Sequence, residues 1–146
     1  MRDRLQRLGP VQKHAEREEQ TAAEALAEVN AAVAAARKTL EELEQYRAGY
    51  HDMSREQSSW HGAHWHDYHT FLSRLDQAIA AQRDVVATAD QRRLVVLRMW
   101  QDKRRRSRSL EQLTARLNEE ARVRAEAAQQ KIDDAMALSR ALRREP

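Results

Sequence analysis

The chain has 146 residues, 26 Lys and Arg against 23 Asp and Glu, a net charge of +3 and no cysteine. One Phe, three Trp and little Ile are too few for a large globular core, whereas abundant Ala, Glu, Arg, Gln and Leu are the composition of long helices. The missing cysteines exclude disulfides and thiolate chemistry, and no apolar run approaches the ~20 residues that span a bilayer.

The N-terminal stretch MRDRLQRLGP is charged and does not read as a signal peptide, so a cytoplasmic protein is expected. Residues 1–8 suit a helix, and Gly9-Pro10 is either a break or a helix start, because proline is tolerated at the first helical position. From Val11 to about Met53 no proline intervenes. Leu26, Val29, Val33, Ala36, Leu40, Leu43, Arg47 and Tyr50 recur at alternating spacings of three and four, a coiled-coil heptad with Leu26 at a and Val29 at d. Arg47 is its one poor seam residue, and Ala22, Glu19, Ala15, Gln12, Leu8 and Leu5 extend it backwards more weakly.

Ser54 to Ala63, SREQSSWHGA, has no periodicity and reads as a turn. The spacing resumes at Trp65 and runs through Tyr68, Leu72, Leu75, Ile79, Gln82, Val86, Ala89, Arg93, Val96 and Trp100. It thins over a basic run and returns at Leu110, Leu113 and Leu117, before an Ala-, Glu- and Arg-rich tail. The pattern predicts an all-α fold: one long two-helix antiparallel coiled-coil hairpin forming a single domain. Its first arm covers about 11–53, the turn about 54–64 and the second arm about 65–143. Leu8 should face about Leu110, leaving the last thirty or so residues to overhang, fray or await a partner.

Charge is uneven. Residues 92–108 hold Arg92, Arg93, Arg98, Lys103, Arg104, Arg105, Arg106 and Arg108 against Asp102 alone, and residues 16–28 are acidic. An antiparallel hairpin brings these stretches alongside each other, so a solvated face with cross-helix pairing is the plain reading of the basic run. The heptad also divides the two sides of the seam. The g positions are Ala32, Thr39, Tyr46 and Met53 on the first arm and Phe71, Ala78 and Val85 on the second. The e positions are Asn30, Arg37, Glu44 and His51, then Asp76, Arg83 and Asp90. One flank is largely apolar and the other polar, which suggests a partner site anchored on Tyr46 and Phe71; a broad self-covering seam or a self-association face are the alternatives.

Leu43, Tyr46 and Tyr50 (LxxYxxxY), Trp65 to Ile79 (WxxYxxFLxxLDQAI) and Met99 to Arg105 (MWQDKRR) together resemble the FliJ family, helical hairpins of the bacterial flagellar export apparatus, with the YscO family as their injectisome counterpart. The resemblance implies a stalk-like protein, similar to the central stalk of rotary ATPases. Such a protein promotes the hexameric export ATPase and contacts the cytoplasmic domain of the export-gate protein FlhA. It also handles export chaperones and supports motility. It would be cytoplasmic and peripheral at the inner face of the cell membrane through its partners. Carried onto this chain, the gate surface falls on Leu43, Tyr46, Tyr50, Phe71, Leu75 and Ala78, with Thr39 and Gln82 as outer members. By the same analogy the paired arm ends, about 5–25 and 95–120, enter the ATPase, with Arg104, Arg105 and Arg106 as contacts.

Other chemistry finds less support. His61, His64, His66 and His69 contain possible metal ligands, but the spacing matches no standard site and a solvated turn is the simpler reading. No phosphate loop, GxSxG or HExxH is present, and an extended hairpin offers no concave pocket, so neither an enzyme nor a cofactor is expected. The arginine cluster raises nucleic acid as a rival partner, but no reading motif accompanies it. A generic coiled-coil scaffold is the remaining alternative.

Overall fold

The computed structural model describes residues 2–56 and 62–144. They form two helices, α1 (Arg2–Glu56) and α2 (Ala63–Arg144), with no strand among the described residues. The helices pack against each other as the expected antiparallel hairpin. Alanine, leucine, glutamate, arginine and glutamine all have high helix propensity, and α2 contains no proline. Gly62 precedes α2 at φ 70°, a left-handed conformation that suits glycine, and its carbonyl accepts the His66 N–H at 3.2 Å. The expected turn at 54–64 is narrower than predicted, because α1 continues through Ser54 to Glu56 and α2 starts at Ala63. Its centre, with Trp60 and His61, lies outside the described residues.

Packing resolves into two units, Thr21–Gln101 and Met1–Gln20 with Asp102–Pro146. In the first, Val29, Val33 and Ala36 of α1 and Tyr68, Leu75 and Ile79 of α2 are buried. Leu26, Leu40, Leu43 and Tyr50, and Leu72, Gln82, Val86, Ala89, Val96 and Trp100, are half-buried. This is the predicted a/d seam, with two departures. Arg47 stays exposed, and its guanidinium reaches sideways to the Asp76 carboxylate of α2. Trp65 is 54% exposed rather than in the seam, its ring edge-on to His69 one turn later at 4.1 Å. Gln82 occupies a seam position without a buried unpaired amide, because its Nε2 donates to the Ala36 carbonyl at 2.9 Å.

In the second unit the seam does not lapse over the basic run. It passes through Lys103, Ser107, Leu110, Thr114, Leu117 and Ala121, none of them exposed. Lys103 Nζ bonds Glu18 at 2.9 Å, and Thr114 Oγ1 donates to Gln12 Oε1 at 2.9 Å. The pairing of Gln12 with Thr114 sets Leu8 about two turns beyond the expected Leu110. Ala15 lies between Gln12 and Glu18, and Ser107 between Lys103 and Thr114; at 1% and 4% exposure they form a layer of small residues between the helices. Gly9-Pro10 does not break α1, which runs from Arg2 through Pro10. Leu5 and Leu8 upstream are half-buried, and their packing offsets the hydrogen bond that proline cannot make. Every residue from Arg122 to Arg144 is exposed yet helical, a shorter overhang than expected and one that does not fray. Short-range pairs such as Arg122 with Glu119 and Glu126 line this stretch.

Candidate functional site

Within Thr21–Gln101 the two flanks of the seam differ in kind. On the e side, charges on α1 meet opposite charges on α2: Arg83 with Glu44 at 3.3 Å, Arg37 with Asp90 at 3.7 Å, and Arg47 with Asp76. Asp90 also holds Arg93 of its own helix at 2.9 Å. These exposed pairs are worth ~0–1 kcal/mol each. They pair every Asp, Glu and Arg at the e positions named above, among the described residues.

The g side is built from rings and small side chains. Tyr46 and Tyr50 are one turn apart on α1, with centroids 5.1 Å apart. Phe71 of α2 lies 4.6 Å from Tyr50 and 6.2 Å, edge-on, from Tyr46. The three rings form one cluster that straddles both helices. Tyr46 is 53% exposed, Tyr50 and Phe71 are half-buried, and Tyr68 is buried beneath with its hydroxyl 3.5 Å from the Tyr50 carbonyl. The Tyr50 phenol is raised above its ordinary value of 10.0, first by its hydrogen bond with Tyr46, then by the closeness of that same phenol, and last by desolvation. The Tyr50 phenol is therefore neutral at physiological pH, and the two tyrosines present aromatic surface with a polar tip, a combination suited to partner interfaces.

The other residues carried from the resemblance are placed unequally. Ala78 is exposed beside the rings, and Leu43 is half-buried at the rim. Leu75, at 7% exposure, is turned into the seam and supports the face from beneath. Thr39 is exposed, and Gln82 is engaged with α1. Farther along the same flank runs an open groove of about 540 Å³, with Ala25, Ala32, Val85 and Ala89 in its walls and Glu28 and Arg92 at its borders. The g positions Ala32 and Val85 pointed to it. The exposed Val95 and Met99, with Leu94 beside them, were missed; a second three-four spacing along g and c positions was the signal.

Residues 4–146, nearly the whole chain, match the family described as Flagellar FliJ protein. The chain belongs to the FliJ family. It is thereby a component of the flagellar export apparatus, in a family that is export-associated and not known for enzymatic activity. No curated relative and no solved structure matches it.

In this FliJ-family chain the predicted basic contacts sit in the unit of Met1–Gln20 and Asp102–Pro146, which holds seventeen Lys and Arg against twelve Asp and Glu. Arg105 and Arg106 are exposed, with Arg105 3.6 Å from Asp102 of its own helix. Arg104 is half-buried and engaged. Lys103 is the member that pairs across the seam. Its ammonium is the first cause of a lowered Glu18 pKa, with smaller contributions from its charge and those of His14 and Arg106. Of the predicted histidine group, His61 lies outside the described residues; His64, His66 and His69 are exposed, and His69 packs against Trp65 and Tyr68. No helix among the described residues is long and apolar enough to cross a membrane.

Proposed function

We propose that this FliJ-family chain acts as a stalk and coupling protein. It promotes the hexameric export ATPase, binds the cytoplasmic domain of the gate protein FlhA, and escorts export chaperones at the inner face of the cell membrane. The observation that carries the reading is the aromatic cluster of Tyr46, Tyr50 and Phe71 on a flank without cross-helix ion pairs among the described residues, opposite a flank where Arg37, Glu44, Arg47, Asp76, Arg83 and Asp90 pair across the helices. An exposed aromatic group with apolar neighbours supports a partner surface, since interface anchors are enriched in Tyr and other large side chains. Leu43 and Ala78 extend that surface, and Leu75 backs it.

On this reading Arg105 and Arg106 meet acidic groups of the ATPase, Arg104 contributes from a half-buried position, and Lys103 keeps the local helix pair together. The test measures hydrolysis by the cognate export ATPase with wild-type protein and with Arg105→Glu/Arg106→Glu, alongside a titration with the gate domain. Stimulation should fall in the arginine variant while gate binding is retained, and Tyr46→Ala should give the converse. An ATPase indifferent to the wild-type protein at ring-forming concentrations would sink the stalk reading.

A further inference from the structure

The apolar flank of Thr21–Gln101 carries a second heptad face beside the seam. On α1 it comprises Ala25, Ala32, Ala35, Thr39, Tyr46 and Gly49, at g and c positions. On α2 the same positions are Phe71, Ala78, Ala81, Val85, Thr88 and Val95. All are exposed except Ala25 and Phe71, which are half-buried. A helix with two adjacent apolar stripes is built to touch two neighbours, and among the described residues the second stripes meet only at the ring cluster of Tyr46 and Phe71, their outer surface staying open.

The charges bordering this face carry the argument. Among the described residues, Glu28, Lys38 and Glu42 of α1 and Arg92, Asp84 and Arg74 of α2 are exposed and stand in no ion pair, whereas the e flank is paired throughout this region. Their order is minus, plus, minus on α1 and plus, minus, plus on α2. The bond from Gln82 to Ala36 sets the level of the helices. By it Glu28 is level with Arg92, Lys38 with Asp84, and Glu42 with Arg74, each within about one turn. A surface whose two halves are complementary in charge is complementary to itself after a half-turn.

We propose that this face is a self-association surface for a second copy of the chain. The two copies pack about a twofold axis parallel to the helices, α1 of each against α2 of the other. This arrangement sets Glu28 against the second copy's arginine at 92, Lys38 against its aspartate at 84, and Glu42 against its arginine at 74, every pair twice. A twofold perpendicular to the helices sets α2 against α2 and brings Arg74 toward Arg92, a repulsive contact. Packing follows the same register. Gly49, with no atom within 4 Å of where its Cβ would stand, leaves room for Phe71 of the other copy, and the alanine-lined groove receives Val85 and Ala89. Asp52 and Asp67, of like sign near the turn, mark where the face stops. From Ala25 to Gly49 the face is about 36 Å long and two helices, about 20 Å, wide. Roughly 700 Å² per copy is close to the ~800 Å² of a standard interface. The dimer covers Tyr46, Phe71 and Ala78, so self-association and the proposed gate contact exclude each other.

Sedimentation equilibrium on the full-length chain alone, without gate or ATPase, tests the proposal independently of the functional reading. A concentration-dependent dimer is expected. Arg92→Glu, which opposes two like-charged pairs per dimer, should weaken it at least about tenfold. The combination Glu28→Arg/Arg92→Glu should restore it. Since the chain lacks cysteine, copies with Ala35→Cys mixed with copies with Val85→Cys should form a crosslinked heterodimer under mild oxidation. A monomer at all concentrations overturns the proposal, as does a dimer indifferent to Arg92→Glu. Crosslinking of Ala35→Cys copies to each other, in preference to the mixed pair, overturns the parallel arrangement.

Discussion

Tyr46→Ala and Leu75→Ala separate the surface of this hairpin from its seam. Both positions belong to the gate surface implied by the family, yet Tyr46 is 53% exposed and Leu75 is 7% exposed. Truncating Tyr46 removes ring contacts at 5.1 Å to Tyr50 and 6.2 Å to Phe71. Aromatic pairs contribute ~0.5–1.5 kcal/mol beyond area, and half the side chain is already in water, so the expected stability loss is about 1 kcal/mol. In a chain of this size that lowers the melting temperature by about 3 °C. Leu75→Ala opens the seam between the helices and should cost ~2–5 kcal/mol, several times the shift. Binding should rank the other way per folded molecule. Loss of an anchor at Tyr46 costs ~2 kcal/mol or more of affinity, about thirtyfold. The assay is a circular-dichroism melt and a gate-domain titration on the same two proteins, the titration run well below both midpoints. If Tyr46→Ala melts as early as Leu75→Ala, the ring is core and the surface assignment fails. If it melts late and still binds the gate normally, the cluster is not the gate anchor.

Three further outcomes follow from the geometry of the other unit. Glu18 has a folded pKa below its ordinary 4.5, so its pairing with Lys103 stabilises the fold above that pH and is lost as pH falls through the depressed value. Melts across the acid range should show this loss, and Lys103→Met should flatten that part of the curve; an unchanged acid dependence would remove Glu18 from the account. Ser107, buried at 4% opposite Ala15 at 1%, should accept Ser107→Ala with little effect, whereas Ser107→Leu overpacks the layer and costs ~1–3 kcal/mol in a denaturant titration. Deleting residues 122–144 removes only exposed helix, so the melting temperature of the remaining hairpin should stay put while ellipticity drops. A large fall in melting temperature would mean that the stretch packs against the hairpin.

The sequence by itself determined the helices, their antiparallel pairing and most of the seam. A coiled-coil seam is a local periodicity, and Val29, Val33, Ala36, Tyr68, Leu75 and Ile79 are buried because spacings of three and four put them on one stripe. The position of Tyr46 and Phe71 beside the seam was legible for the same reason, since the seam fixes which residues flank it. Tertiary structure decided what periodicity cannot weigh. Trp65 has seam spacing but lies exposed, and Ser107 is buried at a position where hydropathy reads a gap. The helix runs through Pro10 because Leu5 and Leu8 before the local break and Gln12 and Ala15 after it pack, a gain that propensity does not count. The pairing of charges was also undecided by composition. Arg37, Arg47 and Arg83 find partners on one flank, while Arg74 and Arg92 on the other do not, because pairing depends on the level at which two helices meet. That level is set by contacts such as Gln82 to Ala36, between residues 46 positions apart in the chain, and no local pattern encodes it.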